Sequence, residues 1–283
     1  MPREIEIRPA SGRADFEACV ALQREVWGLS DLEVTSAIQL LATVHAGGLL
    51  LVADGGDAGI AGFCYAFAAL RAGEPHLHSD MLAVRRDARG RGLGLGLKWA
   101  QREHALGRGL RLVTWTFDPA RAGNARLNLR HLGATAAEFL PDFYGTTSSA
   151  LHRGLPTDRL LARWQLDSPR VAGRAAWTGS DPAAKRADLR EPPPVVALAA
   201  VRRTGDALPH PQRRDEKAEA LRIEVPADWD GLCAADAGLA REWQAALREA
   251  FERALAEGLV ACDFASGADG EAGYLLRKPP LEP

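Results

Sequence analysis

Cysteine, lysine and long apolar runs are what this sequence has least of. Its four cysteines, Cys19, Cys64, Cys233 and Cys262, are scattered and form no CxxC pair. That spacing argues against a zinc module or a disulfide framework and fits a reducing, cytoplasmic setting. No apolar run approaches the ~20 residues of a membrane-spanning helix. The opening MPREIEIRPA is charged and alternating, unlike a signal peptide. The formal charge is only −2, so no net field draws in nucleic acid or an anionic membrane, and any anion site must be local. Lysine occurs only at 98, 185, 217 and 278; nearly all positive charge is arginine, whose fork also suits phosphate. What is present is 47% hydrophobic and 25% charged residues over 283 positions, enough for a real core in one large or two smaller domains.

Along the chain, Ile5 and Ile7 alternate with charge and predict a strand. Helical spacing follows over 12–28 and again over 32–45, ending at Gly47-Gly48. LLLVAD and AGIAGFCYAFAAL read as strands joined by GGDAG, and HLHSDMLAV as a fourth strand. A helix to about Gly107, a strand LRLVTWTFD, a helix ending near Gly133, and the strands TAAEFL and RLLARWQL complete residues 1–168. Residues 169–194 turn to Pro, Ala and Arg and read as a linker. Residues 195–283 hold VVALAAV, EALRIEV, an amphipathic helix over about 236–257, GLVACDF and AGYLLR, a smaller α+β unit. The expected fold is α/β (α+β): a mixed, mostly antiparallel sheet with flanking helices.

The stretch VRRDARGRGLGLGLKWAQ is a strand end, a glycine–arginine turn and a helix start. That geometry gathers free backbone N–H groups, with the helix dipole, around an anion. Gly90, Gly92 and Gly94 remove obstructing side chains, while Arg89 and Arg91 bring charge. A Walker loop is excluded because Gly-Lys-Ser/Thr is absent. A dinucleotide fingerprint fits poorly, since five residues separate the strand from the first glycine and Asp118 comes too late for its acidic partner. A solvated turn is the bland alternative.

Arg89-Gly90-Arg91-Gly92-Leu93-Gly94 follows the R/Q-x-x-G-x-G/A pattern of the GNAT acyltransferases. With MLAV before it and ALGRG closing the helix, the sequence resembles that superfamily over about 60% of the chain. The longer run, including LK.AQR, WTFDP, NARLNLRHLGA, PDFYG and RGLPTDR, resembles a long branch with an extra C-terminal region, part of it associated with N-acylamino-acid metabolism. The resemblance implies splayed fourth and fifth strands and acetyl-CoA or another acyl-CoA as co-substrate, with no metal. It implies that the backbone from Arg89 to Gly94 holds the pyrophosphate and that the main chain of Leu82, Ala83 and Val84 pairs with pantetheine. Leu129 stands where the family usually has Tyr and Ala122 where it has Asn; Asn124 and Asn128 lie close by, one turn apart.

Transfer of an acyl group to an amine needs a proton acceptor. The resemblance puts a family base at the position of His78. His76, His78 and Asp80 alternate onto one strand face; the alternatives are polar surface residues or a metal site. Tyr144, in PDFYG, is the candidate acid; a packed loop aromatic is the other reading. Asp118 is a helix cap, and His45 and Trp27 are helix-end packing or acceptor-site walls. Arg153 and Arg159 suit a carboxylate on the acceptor or a succinyl donor, or lie on the surface. The expected function is acyl transfer to the amine of a small molecule such as an amino acid, in a ternary complex, with a homodimer left open. The alternatives are a non-catalytic acyl-CoA-binding regulatory module and, disfavoured by the net charge, a nucleic-acid contact at RRDARGRG.

Overall fold

Turn chemistry and apolar alternation set the elements of the first of two compact units, residues 1–115 with 146–153. The computed structural model describes residues 5–145, 147, 149, 153–175, 195–201, 208–213, 218–266 and 272–281. In chain order the first unit has β1 (Glu6–Pro9), α1 (Gly12–Trp27), α2 (Ala37–His45), β2 (Leu49–Asp54), β3 (Ile60–Arg71), β4 (Glu74–Val84), α3 (Leu93–Gly107) and β5 (Leu112–Phe117), whose last two residues belong to the second unit. The strands lie in the order β1-β2-β3-β4-β5. Every pairing is antiparallel except β4 with β5, which is parallel.

Helix α2 starts five residues later than its periodicity predicts. Ser36 is in extended backbone and its hydroxyl accepts from the Gln39 N–H, a side-chain cap that sets the start. Leu32, which suggested the earlier start, is exposed. One face of the sheet packs Leu50, Val52, Phe63, Tyr65 and Ala83 against Phe16, Cys19 and Leu22 of α1 and Leu40 of α2. At about 25 cal/mol per Å² of apolar surface removed from water, this core is the main term holding the unit together. Arg8 adds a polar strut: its guanidinium donates to Asp15 on α1 and to Asp54 on β2, holding both carboxyls below their usual range.

The register of β3 on β4 contains one irregularity. Tyr65 faces Met81 and Ala66 faces Ser79, so Asp80 is the extra residue of a β-bulge. Before it, His78 lies opposite Phe67; after it, Met81 and Ala83 join the α1/α2 core, while Leu82 and Val84 lie beside Gly94 of α3.

The second unit, residues 116–145 with 154–283, has α4 (Ala122–Ala125), a π-helical turn (Arg126–His131), β6 (Thr135–Leu140), β7 (Arg159–Gln165), α5 (Pro169–Ala175), β8 (Val195–Val201), β9 (His210–Arg213), β10 (Ala220–Val225), α6 (Trp229–Ala235), α7 (Ala237–Ala256), β11 (Val260–Ser266) and β12 (Ala272–Arg277). Its strands run β7-β6-β11-β12-β10-β8-β9, with β8 and β10 parallel. Phe251 of α7 packs edge-on against Tyr274, which also meets Phe264, and the Tyr274 hydroxyl donates to the Pro119 carbonyl at 2.7 Å. Helix α5 occupies the start of the segment read as a linker, and residues 176–194 of that segment lie outside the described residues.

Gly62, opposite Val84, brings β3 close to the end of β4: a Cβ there would sit 2.6 Å from the Ala83 carbonyl oxygen. Gly62→Ala is therefore expected to destabilise the protein by about 2 kcal/mol through backbone displacement. Urea unfolding checks this, and an unchanged midpoint would refute it.

Candidate acyl-carrier site

Parallel pairing of β4 with β5 runs through Leu77–Val113 and His78–Thr114 and then stops. From Ser79 to Val84 the edge of β4 turned away from β3 has no ladder partner in β5. Main-chain N–H and C=O groups on such an edge require water or a ligand. The expected splay of the fourth and fifth strands is thus present.

Beyond Val84 the chain makes a short 3₁₀ turn over Arg86–Ala88 and enters α3 through Gly90, Arg91 and Gly92. Gly90 and Gly92 both have φ of 77°, a left-handed backbone that an L side chain adopts only with strain. A Cβ at either would meet nothing within 4 Å, so here glycine serves conformation and leaves open space over the bend. Gly92 is the N-cap of α3 and no side chain caps it. The N–H groups of Leu93, Gly94 and Leu95 have no acceptor within the helix, by the geometry of a first turn. Arg89, Gly90, Arg91 and Gly92 are exposed. The bend is an open, positive, uncapped helix entrance beside the unpaired edge of β4. Arg89 Nε also donates to the Val84 carbonyl at 3.1 Å, tying bend to strand end and occupying one lone pair of that carbonyl.

On the other sheet face, His78 Nδ1 lies 2.9 Å from Thr114 Oγ1 and its ring packs against Phe67 at 5.1 Å. Burial, with smaller contributions from His76, Lys98 and Arg71, pushes the imidazole down to about 4. An imidazole near its ordinary value was expected; this one is neutral at pH 7 and a weak base. His76 is buried, with Nδ1 2.9 Å from the Glu74 carbonyl. Asp80 is accessible to solvent, yet the protein atoms crowded around the bulge raise its carboxyl pKa. Burial, with a smaller contribution from the Asp80 charge, raises the Tyr65 phenol, whose hydroxyl donates to Thr43 Oγ1 at 2.9 Å. Among the described residues no group of His, Cys, Asp and Glu is arranged to hold a metal ion.

The remaining candidates belong mostly to the second unit. Tyr144 is half exposed; its hydroxyl is 3.0 Å from Thr116 Oγ1 and the Arg159 guanidinium lies 5.2 Å over its ring. Asn124 is exposed on α4 whereas Asn128 is buried in the π-helical turn, so the two sit in different surroundings. Leu129 is fully buried. Asp118 accepts from the Ala120 N–H at 2.9 Å in a local turn after β5; the N-cap of α4 is Arg121 and no side chain caps it, so the expected helix cap at Asp118 is not formed. Arg153 lies exposed in the first unit and Arg159 buried in the second. Trp27 packs edge-on against Phe63, and His45 is exposed at the end of α2. Thr114 and Tyr65 join the site's surroundings without having been legible as such; only pairing brings Thr114 to His78.

His78 gives a direct test. Its folded pKa lies below the ordinary 6.5, so the unfolded chain binds the extra proton first and stability falls as pH drops from about 6.5 to about 4. The expected outcome is an imidazole NMR titration centred near 4 and a shallower acid loss of stability in His78→Gln. A midpoint near 6.5 would overturn the assignment.

Residues 16–134 match the family model described as Acetyltransferase (GNAT) family. No curated protein matches the chain. Among solved structures, the ribosomal-protein-S18-alanine N-acetyltransferase from Escherichia coli is 16% identical, with 58% of this chain and 95% of that chain covered and a TM-score of 0.46. The structure of yncA from Salmonella typhimurium with its cofactor acetyl-CoA is 19% identical over 59% and 96%, with a TM-score of 0.46. Arabidopsis thaliana NAA60 in complex with a bisubstrate analogue is 16% identical over 56% and 97%, with a TM-score of 0.45.

Proposed function

We propose that this chain, which carries a GNAT acetyltransferase domain over residues 16–134, moves an acetyl or other short acyl group from CoA to the amine of a small molecule. The observation that carries the reading is the open bend Arg89–Gly94, uncapped at the start of α3 and adjoining the unpaired edge of β4. Backbone N–H groups of the bend hold the diphosphate, with Arg89 and Arg91 adding charge. The two amides of pantetheine complete the ladder that Leu82, Ala83 and Val84 leave open, as a strand would. The thioester then lies along β4 toward the bulge, where main-chain N–H groups support the developing oxyanion.

The amine attacks directly in a ternary complex: the C–N bond forms, the C–S bond breaks and the thiolate leaves. Between His78 and Asp80 on β4, Asp80 is the proposed proton acceptor, because the His78 imidazole has a low affinity for protons while the Asp80 carboxyl is raised and open to solvent. His78, anchored by Thr114, orients the acceptor. Tyr144 is the proposed donor to the departing thiolate, with Asn124 and Asn128 as further contacts to the carrier. An amino acid acceptor or a succinyl donor would suit Arg153 and Arg159. Residues 1–168 would form the catalytic region and 195–283 a subdomain attached to it. A cytoplasmic location agrees with the lack, among the described residues, of any helix long and apolar enough to cross a membrane. The second reading, an acyl-CoA-binding regulatory module without chemistry, is favoured by one observation: the family's Tyr position is filled by the fully buried Leu129.

Two measurements decide. Acetyl-CoA is expected to bind in the micromolar range and Gly92→Glu to abolish binding, since a carboxylate enters the bend and the left-handed backbone is strained; unaltered binding in that variant would sink the cradle. With a panel of amines, wild type is expected to release CoA thiol, and Asp80→Asn to lower kcat by about 100-fold. Tight binding with no amine-dependent release would instead support the regulatory module.

A further inference from the structure

One of the chain's four lysines is buried beneath this site. Lys98 sits in the second turn of α3, only 2% exposed, on the helix face that meets the sheet. Its Nζ donates to Ser79 Oγ at 3.0 Å on β4 and to Gln101 Oε1 at 2.7 Å, and it lies 3.7 Å from the centroid of the Trp115 ring on β5. Gln101 Nε2 donates to the same Ser79 hydroxyl at 3.1 Å, and Cys64 of β3 approaches it at 3.7 Å. The last ladder pair between β4 and β5 is His78–Thr114. Ser79 and Trp115 are therefore the first residues past that pair on each strand, and Lys98 touches both.

From this placement we propose that Lys98 is a positioning residue for acyl transfer, its ammonium fixing the fork between β4 and β5 and tying it to the helix that carries the diphosphate bend. The proposal rests on the acyl-transfer reading for its catalytic part. Three features support it. A cation held against an aromatic face and two neutral oxygens is directional, so it sets the distance between strands where apolar packing would only fill space. Ser79 lies between His78 and the bulge at Asp80, so its placement governs both. And in a chain that writes its positive charge almost wholly as arginine, the cation held between the Trp115 ring and these two oxygens is a lysine ammonium, a compact point charge. Burial lowers the Lys98 pKa to about 8. The groups facing it include Cys64 from β3, Ser79 from β4, Trp115 from β5 and Gln101 from its own helix; the buried Cys64 thiol is pushed upward by burial. His78, on the far face of β4, feels the ammonium's charge.

The test uses the full chain with Lys98→Gln and Lys98→Met, with folding checked by thermal unfolding. ADP serves as a probe of the bend alone, and CoA as a probe of bend plus fork. Both variants are expected to bind ADP like wild type but CoA about tenfold more weakly, and to lose about ten- to a hundredfold in kcat with a smaller change in the KM of the amine. Wild-type kcat is expected to fall as pH rises through about 8, with that limb missing in Lys98→Gln. If Lys98→Met does not fold, Lys98→Gln and the wild-type profile still decide. Wild-type CoA affinity and kcat in a folded Lys98→Gln would overturn the proposal, as would a flat wild-type profile across pH 7–9. Should wild type bind CoA without turnover, the catalytic reading fails and the CoA-to-ADP ratio alone judges the fork. Should it bind neither, the bend assignment has failed first.

Discussion

The constraint on which the candidate site depends is the termination of the β4–β5 ladder after a single stretch of parallel pairing. A sheet that opened here without compensation would leave polar backbone groups stranded, since each N–H and C=O removed from a partner must find another. β3 holds the other edge of β4, the bulge at Asp80 changes which residues face each layer, and Gly94 of α3 lies against Leu82 and Val84. The gap leaves a row of main-chain groups of β4 without a ladder partner in β5.

Charge is arranged around that cleft by position more than by amount. The protein carries a net −2, yet the bend at the start of α3 gathers Arg85, Arg86, Arg89 and Arg91 with a helix dipole. Arg85 is drawn back by Asp87 and by the Ala58 carbonyl, and Arg89 by Val84. Across the sheet, burial lowers the His78 imidazole to about 4 and raises the Asp80 carboxyl. Both shifts have the same origin, since desolvation disfavours the charged form of an acid and of a base alike.

Much of the first unit was legible in the sequence because its signals are local. Strand alternation, the glycine breaks and the glycine–arginine bend each depend on a few adjacent residues, and each led to the element now observed. What stayed hidden depends on residues distant in sequence. The bulge at Asp80 exists only relative to β3, and without it His76, His78 and Asp80 look like equivalent members of one row. The low affinity of His78 for protons comes from the packing around it, which no spacing reveals. The π-helical turn at Arg126–His131 separates the surroundings of Asn124 and Asn128, which a plain helical wheel places together. Lys98 reads as an ordinary helix residue until the sheet beneath it is known.

The scarcity of cysteine has a practical corollary. Cys19, Cys64, Cys233 and Cys262 are all buried, and desolvation raises the first to about 12 and the last to about 11. The native fold therefore contributes almost no reactive sulfur of its own, so a colorimetric reagent added during turnover reports the free carrier against a silent background, and covalent labelling chemistry can be aimed at an engineered cysteine without interference.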